Sequence, residues 1–271
     1  MKKPLENVIL ASDIDGTLIG RDFKIPQRNI DAIERFKNAG GIFCIASGRP
    51  IVSARQYHEI VKTNAPGLFV NGSFIYDFEK DKIIWEKAIS KESLEYVKVI
   101  HKQFPNIGIE AITKDKINII NLNDQVKAHI SNGNFPYEMT SLEDIEDDIY
   151  KILFTMSEDD ISKVDEYAST LEVNQVRFVR TSNIFLEMLP EGISKGMALE
   201  KLLNMLNIEK ENSFAVGDYY NDIEMFSIAG TGAATKDAPE DVKKHADIVV
   251  CSCDDGAVAD VIEYIESKYL S

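Results

Sequence analysis

The sequence has little of what secreted and membrane-spanning proteins need. It contains three cysteines in 271 residues, and this odd, small number argues against a disulfide framework. The apolar run near the amino terminus, Val8 to Ala11, is too short for the core of a signal peptide, and no stretch approaches the length of a membrane span. We therefore predict a cytoplasmic protein with reduced cysteines that does not bind membranes.

Basic residues are outnumbered by acidic ones. Thirty Lys and Arg against 45 Asp and Glu give a formal net charge of −15. Nucleic acids and anionic membranes both bind clustered positive charge, so we expect neither as a partner. An anionic substrate must then be attracted by local positive groups. The sequence makes no prediction of the oligomeric state.

Residues 8–18, VILASDIDGTL, place two acids directly after a strand pattern. The apolar run Val8 to Ala11 is typical of a strand that is buried on both faces, as in a parallel sheet. Asp13 and Asp15 follow, and residues two apart on an extended chain project to the same side. Gly16 permits a sharp turn, and Thr17 adds a hydroxyl. Neighbouring carboxylates repel unless a cation or a proton lies between them, so this segment is either a Mg²⁺ site or a solvated acidic turn.

Strand and helix patterns alternate on both sides of a middle region. Each of the strands ending near Ala46 and Val216 is followed by a polar turn and then a helix, which is typical of a doubly wound sheet. Asn71-Gly72 lies between apolar runs and predicts a hairpin. We predict an α/β fold with a Rossmann-like parallel sheet, built from helices at 26–39, after 50, 197–206, 223–228, 239–245 and 257–269, and strands at 42–46, 68–70, 74–76, 83–85, 214–216, 232–234 and 248–250.

The middle region, residues 86–187, has a different pattern. Helices alternate there with adjacent pairs of strands, which predicts a separate α+β unit with an antiparallel sheet. An acidic patch at 143–148 is typical of a solvated face. We therefore predict a core domain formed by 1–85 and 188–271, interrupted by an inserted cap domain at 86–187.

Polar clusters follow three of the predicted core strands. Asp13, Asp15 and Thr17 follow the first, Ser47 follows the second, and Asp218, Asn221 and Asp222 follow the strand at 214–216. Lys195 lies in or just before the first turn of a helix. Taken singly, Ser47 is typical of a helix cap, and a lysine at a helix start is usually solvated. Because the carboxyl ends of parallel strands share one edge of the sheet, the set together predicts a site for Mg²⁺ and phosphate.

Four motifs in this order, DIDGT, SGR, GISKG and GDYYND, resemble those of the haloacid dehalogenase (HAD) superfamily. The position and size of the insertion resemble the larger α/β cap of its Cof-type subfamily. The likeness extends to NGS at 71–73, LEMLPEGISKG at 186–196 and DDGAVADVI at 254–262. It implies a phosphatase of sugar phosphates or similar small metabolites, with Mg²⁺ as cofactor and a small phosphate ester as substrate.

The resemblance also implies a role for each site residue. Asp13 would be the nucleophile that accepts the phosphoryl group, and Asp15 would be the general acid and later the general base. Asp218 would bind Mg²⁺ together with the Asp13 carboxylate and the main-chain carbonyl of Asp15. Asp222 would orient Lys195 or a metal-bound water from behind the site. The phosphate would be held by five residues: Thr17, Ser47, Gly48, Lys195 and Asn221.

The sequence departs from this pattern and leaves alternatives open. Tyr219-Tyr220 places two rings after Asp218, and Thr235-Lys236-Asp237-Ala238 replaces a stretch that often reads G-N-A. A phosphomutase of related architecture, a receiver-like module that accepts a phosphoryl group, and an inactive binding protein remain as alternatives. We expect the cap to set specificity by closing over the site, with Arg177, Arg180, His129 and Glu110 as candidate contacts.

Overall fold

The computed structural model describes residues 3–133 and 136–270. Its contacts divide these residues into two units. The core unit contains residues 3–48, 54–85 and 194–270, and the inserted unit contains residues 49–53 and 86–193. The division between residues 85 and 86 is the one expected from the sequence, whereas the second lies between 193 and 194. The predicted boundary at 187/188 falls inside a strand, so the exact domain limits stay a prediction.

The secondary structure follows the predicted alternation. The first part of the chain forms β1 (Ile9–Ser12), α1 (Gln27–Asn38), β2 (Ile42–Ile45), α2 (Ile51–Val61), β3 (Gly67–Phe69), β4 (Phe74–Asp77) and β5 (Lys82–Glu86). The middle part forms α3 (Glu95–Gln103), β6 (Gly108–Ile112), β7 (Ile117–Asn121), α4 (Asp124–Gly133), β8 (Tyr137–Met139), β9 (Lys151–Thr155), α5 (Glu158–Ser169), β10 (Val176–Arg180) and β11 (Phe185–Pro190). The last part forms α6 (Lys195–Leu206), β12 (Ser213–Gly217), α7 (Ile223–Ile228), β13 (Thr231–Thr235), α8 (Glu240–Lys243), β14 (Ile248–Val250) and α9 (Ala257–Tyr269).

The core sheet is parallel, with the strand order β14-β13-β12-β1-β2. The chain passes from β1 to β2 on one side and later returns to β12 on the other side of β1. The direction of winding therefore changes between β1 and β12, and ligands of such sheets bind at the carboxyl ends of the strands beside this change. Asp13 and Asp218 are the residues that directly follow these two strands.

Both faces of the core sheet are covered by helices. Ile9 and Ala11 of β1 belong to an apolar cluster with Leu199 of α6 and Phe226 of α7. Another pair of helices, α1 and α9, pack against each other, and the buried amide of Asn29 in α1 accepts the N–H of Ala259 in α9 at 2.9 Å. A parallel bridge, Ala46 to Leu68, connects β2 to the three-stranded sheet β3-β4-β5. The predicted doubly wound core is confirmed.

The inserted unit has one six-stranded sheet, in the order β10-β11-β9-β6-β7-β8. Its pairs are antiparallel except for β7 and β8, which are parallel. Ile109, Ile152 and Phe154 pack in one apolar cluster with residues of α3 and α5, such as Val97 and Ile161. The predicted α+β architecture is confirmed, although β8 was not predicted. The acids of the 143–148 patch are exposed, as the sequence indicates.

Within residues 3–133 and 136–270, no helix has both the length and the apolar character needed to cross a lipid bilayer.

Candidate active site

Four acidic and basic side chains from distant segments meet at the carboxyl ends of β1 and β12. The Lys195 ammonium donates to Oδ1 of Asp13 at 2.6 Å and to Oδ1 of Asp222 at 2.7 Å. Oxygen atoms of Asp13, Asp218 and Asp222 lie within 4.8 Å of one another. Asp13, Lys195 and Asp222 are buried. The structure therefore brings together the ends of β1 and β12 and the start of α6, and the roles predicted for these residues stay a prediction.

Lys195 is held at the first turn of α6 despite the unfavourable helix dipole there. Ser194 caps the helix, because its hydroxyl accepts the N–H of Met197 at 3.0 Å. The lysine side chain is only 1% exposed, so the alternative of a solvated lysine is wrong. Burial lowers the pKa of Lys195, but the charges of Asp13 and Asp222 outweigh burial, and the pKa of the ammonium is raised well above its usual value. Lys195 therefore stays positively charged.

Asp222 connects the lysine to the turn that follows β12. Its Oδ2 accepts the backbone N–H groups of Asp218 at 3.0 Å and Tyr219 at 3.1 Å, while Oδ1 accepts from Lys195. A side chain at residue 217 would not fit, because a Cβ on Gly217 would lie 2.3 Å from Cγ of Asp222. Asp222 thus accepts from three donors, and with Asp13 and Asp218 it forms a group of acids close enough to hold a metal ion.

The turn after β1 brings Thr17 and Gly16 against Asp218. The Thr17 hydroxyl donates to Oδ1 of Asp218 at 3.2 Å. Gly16 has a φ of +74°, and a Cβ there would lie 2.4 Å from Oδ2 of Asp218. A glycine is needed here for both the backbone conformation and the close approach. The sequence predicted Thr17 as a phosphate contact, and the structure places its hydroxyl on Asp218.

The electrostatics of this cluster favour an additional cation. Burial raises the pKa of Asp13 to about 7. Lys195 opposes this shift, and the charges of Asp222 and Asp15 add to it. Burial and the charges of Asp13 and Asp222 raise the pKa of Asp218 well above its usual value. Two buried carboxylates and the half-buried Asp218 face one ammonium, so the ionised cluster has an excess of negative charge. The donor set, carboxylate oxygens, is the one that Mg²⁺ prefers.

Asp15, predicted as the acid and base of the site, lies in the turn that carries Asp13 but is exposed. A backbone bridge pairs Asp15 with Ile19 and closes the turn. Its charge contributes to the raised pKa of Asp13, after burial and the charge of Asp222. The turn therefore separates Asp13 and Asp15 into a buried acid and a solvent-accessible one.

Three of the five predicted phosphate-binding residues, Ser47, Gly48 and Asn221, lie around Asn71. Ser47 follows β2 and is buried, and its carbonyl accepts the N–H of Asn71 at 3.1 Å. The Asn71 amide oxygen accepts from Nδ2 of Asn221 at 3.0 Å. A Cβ on Gly48 would lie 3.0 Å from the same oxygen. Asn71 thus connects Ser47, Gly48 and Asn221, although the sequence predicted only a hairpin here and its NGS likeness carried no role for Asn71 in the site.

The Asn71-Gly72 segment does more than connect two strands. The predicted hairpin between β3 and β4 is present, but its connection is the longer segment 70–73, in which Val70, Asn71 and Gly72 all have positive φ. A Cβ on Gly72 would lie 2.2 Å from the carbonyl oxygen of Ser194, the residue before Lys195. The signal that could have found Asn71 is the NGS sequence after a core strand, at the same edge as Ser47.

The four candidate contacts in the inserted unit have partners there. His129 Nδ1 lies 3.0 Å from each carboxylate oxygen of the fully buried Glu110. Arg180 donates to the backbone carbonyls of Ser182 and Asn183 at 2.6 and 2.7 Å. Arg177 lies on β10 opposite Leu189. Their role in specificity stays a prediction.

Comparison with known proteins agrees with this geometry. The sequence model of the haloacid dehalogenase-like hydrolases matches residues 10–262. A 5-amino-6-(5-phospho-D-ribitylamino)uracil phosphatase, YitU of Bacillus subtilis, is 24% identical over 257 residues, which are 93% of this chain and 94% of that protein.

Two solved structures have the same fold over nearly the whole chain. A haloacid dehalogenase-like hydrolase from Bacteroides thetaiotaomicron is 26% identical, with a TM-score of 0.85, and covers 95% of this chain and 99% of its own. A protein from Thermotoga maritima is 26% identical, with a TM-score of 0.82, and covers 97% and 99%. The fold, superfamily and enzyme class predicted from the motifs are confirmed. This chain belongs to the haloacid dehalogenase-like hydrolases.

Proposed function

We propose that this hydrolase is a Mg²⁺-dependent phosphatase of small phosphorylated metabolites that works through a phosphoryl group carried on Asp13. The observation that carries the proposal is the buried contact of Lys195 with both Asp13 and Asp222, beside the carboxylate of Asp218. A buried carboxylate kept in place by a lysine is suited to nucleophilic attack. Hydrolysis of phosphate monoesters is among the slowest uncatalysed reactions, and a covalent intermediate divides it into two displacements.

In the first displacement, a carboxylate oxygen of Asp13 attacks phosphorus and the bond to the ester oxygen breaks. Asp15 gives its proton to that oxygen, so the product leaves as a neutral alcohol. Lys195 uses two of its three N–H donors on Asp13 and Asp222 within the described structure, which leaves one for a phosphoryl oxygen. Ser47, Gly48 and Asn221, gathered by Asn71, are the proposed further phosphate contacts.

In the second displacement, water attacks the phosphorus of the aspartyl phosphate. Asp15, now a carboxylate, takes a proton from this water, and the bond from phosphorus to Asp13 breaks. Inorganic phosphate leaves, and Asp13 regains its carboxylate. The solvent exposure of Asp15 suits this role, because the attacking water can reach its carboxylate.

The residues present fit a magnesium ion. Asp13 and Asp218, with the main-chain carbonyl of Asp15, are the proposed ligands. Burial and the neighbouring carboxylates raise the pKa of both acids, so a bound cation would favour their ionised forms. When bound, the ion would neutralise the charge of these carboxylates and that of the phosphoryl group. Thr17 then orients Asp218, and Asp222 orients Lys195 and the turn at Asp218.

The substrate class rests on the superfamily resemblance and on a relative. YitU is named as a phosphatase of a phosphorylated ribitylamino-uracil, a small metabolite. We propose a substrate of similar size, bearing a phosphate monoester on an alcohol.

The three cysteines form no disulfide bond, which supports the proposal of a reducing, cytoplasmic environment.

The test is hydrolysis of a panel of sugar phosphates and nucleotides, with Mg²⁺ and with chelator. We expect release of inorganic phosphate equal to the ester consumed, dependent on Mg²⁺ and abolished in Asp13→Asn. Isomerised ester without phosphate release would instead indicate a phosphomutase. Turnover that persists in the folded Asp13→Asn protein would contradict the proposed nucleophile.

A further inference from the structure

The loop that follows Asp15 is tied down at its far end by an ion-pair cluster. Gly20 donates its N–H to the carbonyl of Lys24 at 2.8 Å, which closes the loop. At its tip, the Arg21 N–H donates to Oδ1 of Asp254 at 2.8 Å, and the guanidinium contacts Oδ1 of Asp237 at 3.1 Å. The second guanidinium nitrogen lies 3.5 Å from Oδ2 of Asp254. We name Arg21, Asp237 and Asp254 the loop anchor.

The acids of the loop anchor are themselves fixed to neighbouring segments. The Ser252 hydroxyl donates to Oδ2 of Asp237 at 2.6 Å, and the same serine accepts the N–H of Asp254 at 3.3 Å. A Cβ on Gly20 would lie 2.7 Å from Oδ1 of Asp254, so the loop lies directly against this acid. The anchor thus joins the loop after β1 to the segments that follow β13 and β14.

Phe23 shows that the loop conformation is imposed by these contacts. Its φ is +61°, a left-handed conformation that a bulky residue rarely adopts, and its side chain is 57% exposed. The exposed Phe23 ring gains little free energy by packing. Neither this packing nor the backbone preference of phenylalanine therefore explains the left-handed conformation. Backbone strain of this kind persists only where the surrounding structure determines the conformation.

We propose that Arg21 is a positioning residue, which holds the loop so that Asp15 is oriented toward the leaving group. This inference rests on the proposed function, because it assumes that Asp15 is the acid and base. Exposed ion pairs contribute little to stability, and Arg21 is 71% exposed, so a stabilising role does not account for the cluster. The effect of the ion pairs on the reaction rate can be much larger than their effect on stability, because a displacement of about 1 Å at a reacting group can lower the rate about 100-fold.

The test compares two esters that differ in their need for an acid. A nitrophenolate is a weak base and leaves without a proton, whereas the alkoxide of glycerol phosphate requires one. Hydrolysis of the aspartyl phosphate is common to both esters and also needs Asp15, so the comparison uses kcat/KM, which reports only the steps through departure of the leaving group. We expect Arg21→Ala to lower kcat/KM for glycerol phosphate about 100-fold and to leave kcat/KM for p-nitrophenyl phosphate little changed. Arg21→Lys, which keeps the charge, should restore part of the loss.

The matched control is Arg35→Ala, which removes another exposed ion pair of the core unit, to Glu266 at 2.8 Å. Arg35→Ala should have the same kcat/KM as the wild type on both esters. In an Asp15→Asn background, Arg21→Ala should cause no further loss on glycerol phosphate, since the group it positions is absent.

Three results would overturn the proposal. Equal losses of kcat/KM on both esters, or no loss on either, would show that Arg21 does not act through Asp15 as the acid. Additive losses in the double variant would show the same. Failure of the wild type to hydrolyse either ester in Mg²⁺ would instead overturn the proposed function, and this inference with it.

Discussion

Lys195 Nζ lies 2.6 Å from Oδ1 of Asp13, although 182 positions separate the two residues in the chain. The contact brings the start of α6, which follows the insertion, to the end of β1. Asp222 binds the same ammonium from the end of β12. The centre of the site is therefore a buried cation shared by two acids, and most of its properties depend on this balance of charge.

Replacement of Lys195 by methionine keeps the side-chain volume and removes the charge. Two buried carboxylates then lose their partner, and breaking a buried ion pair in this way costs about 3–5 kcal/mol. We expect urea unfolding to show a loss of this size in Lys195→Met. Lys163→Met, which removes an exposed ion pair to Asp160, is the control and should unfold as the wild type does. Equal stability of the two variants would contradict the central role of Lys195.

Replacement of Asp218 by asparagine should stabilise the metal-free protein at pH 8. The pKa of Asp218 is raised well above 3.8, mainly by burial, so the folded state binds its proton more tightly than the unfolded state does. Stability therefore falls as the pH rises above about 4, and the neutral amide avoids this loss. The Thr17 hydroxyl can still donate to the amide oxygen.

In thermal unfolding with chelator, Asp218→Asn should melt about 3 °C above the wild type at pH 8, and the difference should shrink toward pH 4. Mg²⁺ should raise the melting temperature of the wild type and not that of the variant. A variant that melts below the wild type at pH 8 in chelator would contradict this account.

Magnesium binding should strengthen as the pH rises through 7. Burial raises the pKa of Asp13 to about 7, so in the metal-free protein a proton occupies this carboxyl at lower pH and competes with the ion. The dissociation constant for Mg²⁺, measured by calorimetry, should be at least about tenfold higher at pH 6 than at pH 8. A dissociation constant that does not change over this range would show that Asp13 is not a ligand.

Replacement of Asp222 by asparagine should weaken magnesium binding although Asp222 is not a proposed ligand. An amide has one acceptor oxygen, and Asp222 accepts from Lys195 through one oxygen and from the Asp218 and Tyr219 N–H groups through the other. The asparagine must therefore lose either the contact with Lys195 or the contacts with the two backbone N–H groups. Residues that orient metal ligands typically contribute 10–100-fold to affinity, so we expect a rise in the dissociation constant of about this size. An unchanged constant in a folded variant would exclude this role.

The main elements of the fold could be predicted from the sequence because their patterns are regular. The limits of α7 and α9 agree with the structure, since apolar periodicity and flanking residues mark both. Strand β8 could not be predicted, because its three residues are exposed and show no alternation. The connection at 70–73 contains Val70 at a φ of 50°, a conformation that a β-branched residue does not favour and that only its surroundings can explain.

The candidate site was predictable as a set of residues but not as a network. Strand ends and the motif resemblance pointed to Asp13, Asp218 and Lys195. The sequence could not show that Asp222 accepts two backbone N–H groups, because local hydrogen bonds of this kind depend on the turn geometry. Nor could it show that Asn71 connects Ser47 to Asn221, which lie far apart in the chain.

The central claim is that Asp13 carries the phosphoryl group during turnover. The most direct measurement is mass spectrometry of the Asp15→Asn variant, quenched in acid while it turns over a phosphate ester in Mg²⁺, because loss of the general base should slow hydrolysis of the intermediate. We predict one added phosphoryl group on the peptide that contains Asp13. A phosphoryl group found on another residue, or none in a variant that still forms product, would contradict the account.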